Sequence, residues 1–165
     1  GVIRMKLVIV ESPFMYKSDN PEERIVGQLR NITYARLAMH DCLTKGEAPY
    51  ASHLLLTQPY ILNDDIPEQR YLGINAGLEW GEKATKTVLY NDLGESSGMK
   101  YGRLRTETSE RPIEERSLPG WEKAYEETPS STLIRLGLYT KEQLNKLVEL
   151  HLSFGDNSTE ILMKP

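Results

Sequence analysis

Leu7-Val8-Ile9-Val10 is the feature that most limits what this chain can fold into. An unbroken apolar run rich in β-branched residues suits a strand buried on both faces, the pattern of a parallel sheet rather than of a half-solvated antiparallel one. The run closes on Glu11-Ser12-Pro13-Phe14, where Pro13 stops the strand. Parallel neighbours need crossover connections, so helices must alternate with the strands that follow.

The rest of the chain supplies that alternation. Residues 17–24 are polar and read as a loop. Asn31 to Lys45 reads as a helix: Ile32, Ala35, Met39, Cys42 and Leu43 recur three and four apart on one face, and Gly46 follows as a stop. Ala48 to Thr57 reads as a second strand, and Gln58 to Pro67 as a loop. Glu68 to Lys83 reads as a second helix, with Glu68 set against the dipole of its first turn. Thr87 to Tyr90 is a short strand, Asn91 to Gly98 a polar loop, Met99 to Glu107 a helix and Ile113 to Arg116 a last strand. The order β-α-β-α-β-α-β predicts an α/β domain, a flavodoxin/Rossmann-like three-layer arrangement with a mainly parallel sheet and right-handed crossovers. Its expected span is residues 5–118. Residues 119–165 form an extension of polar turns and one helix, with Thr140 and Gln143 as a capping box and Leu144, Leu147, Val148 and His151 as an apolar stripe.

Composition excludes several classes. A net charge of −4 lacks the basic excess of a general nucleic-acid binder, though a local basic pocket for one phosphate stays open. One cysteine, Cys42, permits neither an intrachain disulfide nor a CxxC motif, and its place on the helix stripe reads as packing. His40, His53 and His151 lack metal-ligand spacing, so no metal and no cofactor is expected. No apolar run reaches membrane-spanning length and no signal segment opens the chain, which reads as cytoplasmic. Gly1 reads as a tag remnant and Met5 as the native start.

Ligands of open parallel sheets bind outside the C-terminal strand ends. Those ends are Ser12-Pro13-Phe14, the segment from His53 to Gln58, and Asn91 to Met99. The start of the Glu68 helix should face the same edge, where free N–H groups suit an anion. Within that helix Gly73 and Gly77 bare one face, either for close packing or for a ligand with Asn75 beside it. Gly94 to Gly98, with Ser97, is either a phosphate-cradling turn or an ordinary one. Asp92 could hold ribose hydroxyls or cap a turn, and His53 is either structural or part of the site. Ser12 is not in a GxSxG elbow.

The Ser12-Pro13-Phe14 turn, Tyr34-Ala35 in the first helix and Gly73-Ile74-Asn75-Ala76-Gly77 resemble the nucleoside 2-deoxyribosyltransferase-like superfamily. Tyr50-Ala51-Ser52-His53, Ile66-Pro67-Glu68, Leu72 to Gly77, Trp80 and Gly98-Met99 resemble a branch of it found in phages and bacteria. The similarity covers about residues 5–118. It implies a flavodoxin-like fold, a small-molecule nucleoside or nucleotide as ligand, cleavage or transfer at the N-glycosidic bond, and a homo-oligomer that completes the site between subunits. It also implies a glutamate nucleophile in a G-x-E-x-G pattern, and that position falls on Asn75. An amide cannot replace a carboxylate nucleophile. An engineered acid-to-amide exchange, another carboxylate such as Glu68 or Glu79, or binding without cleavage all stay open. The expected site is therefore Glu68 and Asn75 as catalytic groups, with Ser12, Pro13, Phe14, Tyr34, His53, Gly73, Asp92, Ser97 and Met99 around the substrate. The alternative is a protein that sequesters or senses a nucleotide, as in phage–host conflict.

Overall fold

A computed structural model describes residues 4–126 and, beyond them, residue 142 alone. The elements are β1 (Lys6–Glu11), α1 (Pro21–Thr44), β2 (Glu47–Tyr50), α2 (Ser52–Leu55), α3 (Pro67–Gly81), β3 (Lys86–Tyr90), α4 (Ser97–Thr108), β4 (Ile113–Arg116) and α5 (Trp121–Glu126). The four strands form one parallel sheet in the order β2-β1-β3-β4. This is a three-layer α/β fold of the Rossmann/flavodoxin-like type. The chain runs outward from β1 to β2, then crosses back to place β3 on the other side of β1. The direction in which the chain adds strands therefore reverses between β1 and β3, the point at which such sheets open a crevice.

Strand parity divides the core. Val8 and Val10 of β1 face α1 together with Val88 and Tyr90 of β3, and they pack with Tyr34, Ala38, Cys42, Ala51 and Leu118. Ile9 and Glu11 point to the opposite face, as do Thr87 and Leu89 by register. α4 packs on β3 and β4 on that face, whereas the main packing partner of α3 is α2. No residue of α3 except Gly81 is buried.

Three local expectations are corrected. The polar stretch before residue 25 is not all loop: α1 begins at Pro21, because Asn20 caps it by accepting from the backbone N–H groups of Glu22 (2.9 Å) and Glu23 (3.2 Å), with Pro21 in the first turn. The second strand is only four residues long. After Ala51 the backbone turns, and the Ala51 carbonyl accepts from the N–H groups of Leu54 and Leu55, so His53 lies on a helical turn rather than in a strand. The segment after Pro119 includes α5, where turns alone were expected. α1 ends at Thr44, before Gly46 at φ +74°, a left-handed geometry that glycine adopts without penalty. The helix expected near residues 140–151 lies outside the described residues apart from residue 142. Among the described residues no helix is long and apolar enough to cross a membrane.

Candidate functional site

A cleft of about 720 Å³ opens on the Ile9–Glu11 face, between α3 and α4 and beside the reversal point of the sheet. Its walls come from the end of β1 (Glu11, Ser12, Phe14), from α2 (Ser52, His53), from α3 (Gly73, Ile74, Gly77) and from α4 (Ser97, Gly98, Met99, Gly102). Arg111, just before β4, lines it as well. Of the expected site residues, the cleft gathers Ser12, Phe14, His53, Gly73, Ser97 and Met99.

Ser12 and His53 meet through a 2.8 Å hydrogen bond between Oγ and Nε2. Phe14 is buried and stands edge-on to the imidazole, with ring centroids 6.2 Å apart. Burial pushes the His53 pKa down to about 4, so the ring is neutral at physiological pH and can accept a proton. The glycines of α3 allow close packing and also line the cleft. A Cβ on Gly77 would come within 2.7 Å of Ser52 Oγ, so bare backbone lets α3 approach α2, and both Gly73 and Gly77 also face the cleft. On the far wall Ser96 caps α4 by accepting from the Met99 N–H (3.2 Å), which leaves Ser97 and Gly98 at the cleft's edge.

The remaining expected residues stand elsewhere. Asn75 is half-buried and does not line the cleft. Glu68 is exposed and borders a separate shallow depression with Pro67, Tyr71 and Leu72, and Glu79 is exposed. Pro13 is buried behind the turn. Tyr34 and Asp92 bind each other: Tyr34 Oη donates to Asp92 Oδ2 (2.5 Å), and the Asp92 N–H donates back to Tyr34 Oη (3.0 Å). The Leu118 N–H also donates to Asp92 Oδ2 (2.9 Å), and Trp121 stacks edge-on against Tyr34. This cluster ties α1 to the loop after β3 and to the approach to α5. Burial and the Asp92 hydrogen bond push the Tyr34 hydroxyl pKa up, which keeps it a donor.

The sequence reading passed over one carboxyl that the structure puts in the cleft. Glu11 ends β1 with the parity of Ile9, so its side chain enters the cleft instead of the α1 core. Burial raises its pKa to about 8 against the opposing pull of Arg111. Its carboxyl lies against Gly102, where a Cβ would sit 2.5 Å from Oε1. Two other carboxylates line the cleft; Asp64 is ion-paired with Arg70 at 2.9 Å, and Asp65 also has a partner. The available signal was parity: a lone acid two residues after Ile9 in a buried strand must share the side of Ile9. Among the described residues no three His, Cys, Asp or Glu side chains gather as a metal site requires.

The model of a family described as a domain of unknown function (DUF7768) matches residues 6–116, the whole sheet and the cleft with it. No curated protein and no solved structure matches the chain.

Proposed function

We propose that this chain, which belongs to the DUF7768 domain family, binds a nucleoside or nucleotide in the α3–α4 cleft and hydrolyses its N-glycosidic bond. The observation that carries the reading is the place of Glu11: its carboxyl lines the cleft beside the reversal point and lies against Gly102, where burial pushes its pKa up to about 8. Glu11 is a proton donor and not the nucleophile that the resemblance implies at the position of Asn75, so water takes the nucleophile's part in the scheme. In this scheme Glu11 acts as general acid and transfers its proton to a ring nitrogen of the leaving base. The C1′–N electron pair passes to the base as that bond breaks. Water adds to C1′ and gives a proton to neutral His53, whose ring Ser12 holds in place. The edge of α4 at Ser97 and Gly98 offers N–H donors to an anionic part of the ligand.

A panel of nucleosides and nucleotides, followed by chromatography for free base, tests the scheme. Glu11→Gln is expected to cut base release by about 10²–10⁴-fold, the usual worth of a general acid, with binding retained. Base release that survives this exchange refutes the role of Glu11. The absence of Glu68 and Asn75 from the cleft favours a second reading, binding without cleavage. It is supported if the purified protein carries a nucleotide and releases no base from any panel member. Oligomerisation belongs to the same proposal: Tyr71, Leu72 and Trp80 of α3 expose 59–64% of their surface. Light scattering on the purified chain reads the assembly directly, and a monomer at all concentrations refutes it.

A further inference from the structure

Arg111 lies beside the proposed acid, yet nothing above gives it a task. Three neutral acceptors on three different elements hold it. Nε donates to Thr87 Oγ1 of β3 (3.2 Å), Nη1 to the Gly81 carbonyl at the end of α3 (2.8 Å) and Nη2 to Thr106 Oγ1 of α4 (3.2 Å). Gly81 leaves room for it, since a Cβ there would meet Nη2 at 3.2 Å. Among the described residues no carboxylate forms an ion pair with Arg111. A fixed cation among neutral acceptors keeps its field for the cleft it lines, and Glu11 lines the same cleft.

We propose that Arg111 is a positioning residue for proton transfer: its fixed charge stabilises the carboxylate that Glu11 becomes when its proton passes to the leaving base. The inference rests on the N-glycosidase reading. In the step itself the Glu11 O–H bond breaks, its electron pair stays on the carboxylate oxygen, and the proton forms an N–H bond on the base as the C1′–N pair moves there. Arg111 is already in place when that negative charge appears, so its stabilisation requires no rearrangement. The other titratable or charged groups facing this space act differently. Lys17 comes from the loop after β1, His53 from α2, Asp64, Asp65 and Arg70 from the approach to and start of α3, and Tyr101 from α4. Asp64 and Arg70 offset each other at 2.9 Å, and Lys17 is exposed. Arg111, held by three neutral acceptors, turns its charge to the same cleft and pulls the Glu11 pKa down against burial.

Carbon NMR of the Glu11 carboxyl, assigned with Glu11→Gln, measures this coupling without substrate. Arg111→Gln keeps donors for Thr87 and Thr106 but removes the charge. It is expected to move the Glu11 midpoint up by about one pH unit, the lower end of the effect of a nearby opposite charge. Arg111→Lys is expected to leave the midpoint near its wild-type value. In the base-release assay the alkaline limb of Arg111→Gln moves up with the midpoint, and kcat falls about tenfold, the equivalent of that one unit, with KM unchanged. In the wild type the Arg111 Nε–H resonance follows the same midpoint, a readout that needs no variant to fold. An unmoved Glu11 midpoint in Arg111→Gln, or an Arg111 resonance indifferent to Glu11 titration, overturns the inference. A shifted midpoint with no base release from any protein refutes the N-glycosidase reading instead.

Discussion

Replacing Arg116 by methionine tests the charge network on the α1 face, away from the cleft. Arg116 binds Glu47 through two parallel hydrogen bonds, Nη1 to Oε2 and Nη2 to Oε1, both 2.7 Å, and the two side chains are only 7% and 8% exposed. Nη1 also donates to Tyr90 Oη at 3.2 Å, and Lys86 Nζ is a second partner of Glu47 at 2.7 Å. The hydrogen bonds from Arg116 are the largest cause holding the Glu47 pKa at about 2 instead of its ordinary 4.5. At about 1.4 kcal/mol per pH unit, that depression corresponds to about 3 kcal/mol of folded-state preference for the carboxylate. Breaking a buried pair from one side costs about 3–5 kcal/mol, so Lys86, which stays, sets the expectation at the low end. Arg116→Met should lower stability by about 3 kcal/mol, which at an m-value of about 2 kcal/mol/M moves the urea midpoint down by about 1.5 M. The sign with pH is fixed: a depressed carboxylate stabilises the fold fully above pH 4.5 and loses that contribution as pH falls towards 2. Urea melts followed by circular dichroism, repeated between pH 7 and pH 2.5, read both effects, and Arg116→Met should flatten the acid limb. Replacing both partners, Glu47→Leu with Arg116→Met, should cost less than the two single losses added together, because neither charge is then stranded. Strict additivity, or a single-variant midpoint shift under about 0.3 M, refutes the account.

Other expectations bear on the cleft and its frame. Base release should run between two limbs, falling below about pH 4 as His53 takes a proton and above about pH 8 as Glu11 loses one; a flat profile through pH 8 excludes Glu11 as the acid. Because the Glu11 pKa is raised, its contribution to stability is complete below pH 4.5 and fades as pH rises through 8, so Glu11→Gln should be the more stable protein at pH 9 and lose the slope between these limits in chemical melts. Gly77→Ala should cost about 1–3 kcal/mol despite the better helix propensity of alanine, and Ser52→Gly should restore part of the loss in the same melts. Tyr34→Phe should cost about 1–3 kcal/mol by stripping partners from Asp92 while leaving nucleotide affinity unchanged in titration calorimetry; a large loss of affinity would return Tyr34 and Asp92 to the ligand site.

The sheet was legible because its signals are local and agree with one another. Leu7 to Val10 marks a strand of a parallel sheet by its composition, although burial on both faces is not what it meets: Val8 and Val10 are buried, Ile9 is half-buried and Leu7 is 49% exposed; Ile113 to Arg116 follows a helix at crossover spacing. The sequence misleads where local and longer-range signals conflict. Leu54-Leu55-Leu56 continues the apolar run of β2, but hydrogen bonds to Ala51 and Ser52 fold it into α2, which no periodicity within ten residues reveals. The start of α1 was obscured for the opposite reason. Its first turn is wholly polar, so the only signal is the Asn20-Pro21-Glu22-Glu23 cap, and apolar period counting begins too late to see it.

The site was less legible than the fold because reactivity depends on what several distant segments do to one side chain. Ser12 and His53 are 41 residues apart, and only the parallel pairing of β1 with β2 brings the turn after one strand to the helix after the other. Asp92 and Tyr34 carried the right chemistry for a sugar, yet the same fold spends it on a mutual hydrogen bond. Glu11 shows the reverse case. As a residue type it is an ordinary acid, and strand parity with Ile9 is the one local mark it carries. Parity sends it under the sheet, Gly102 gives it room, and Arg111 arrives from beyond α4 to oppose the effect of burial. A carboxyl whose pKa is set by those contributions is a property of the assembled cleft, which is why the acid of the proposed reaction sits at the end of the first strand and not at the glycine-flanked Asn75 of α3.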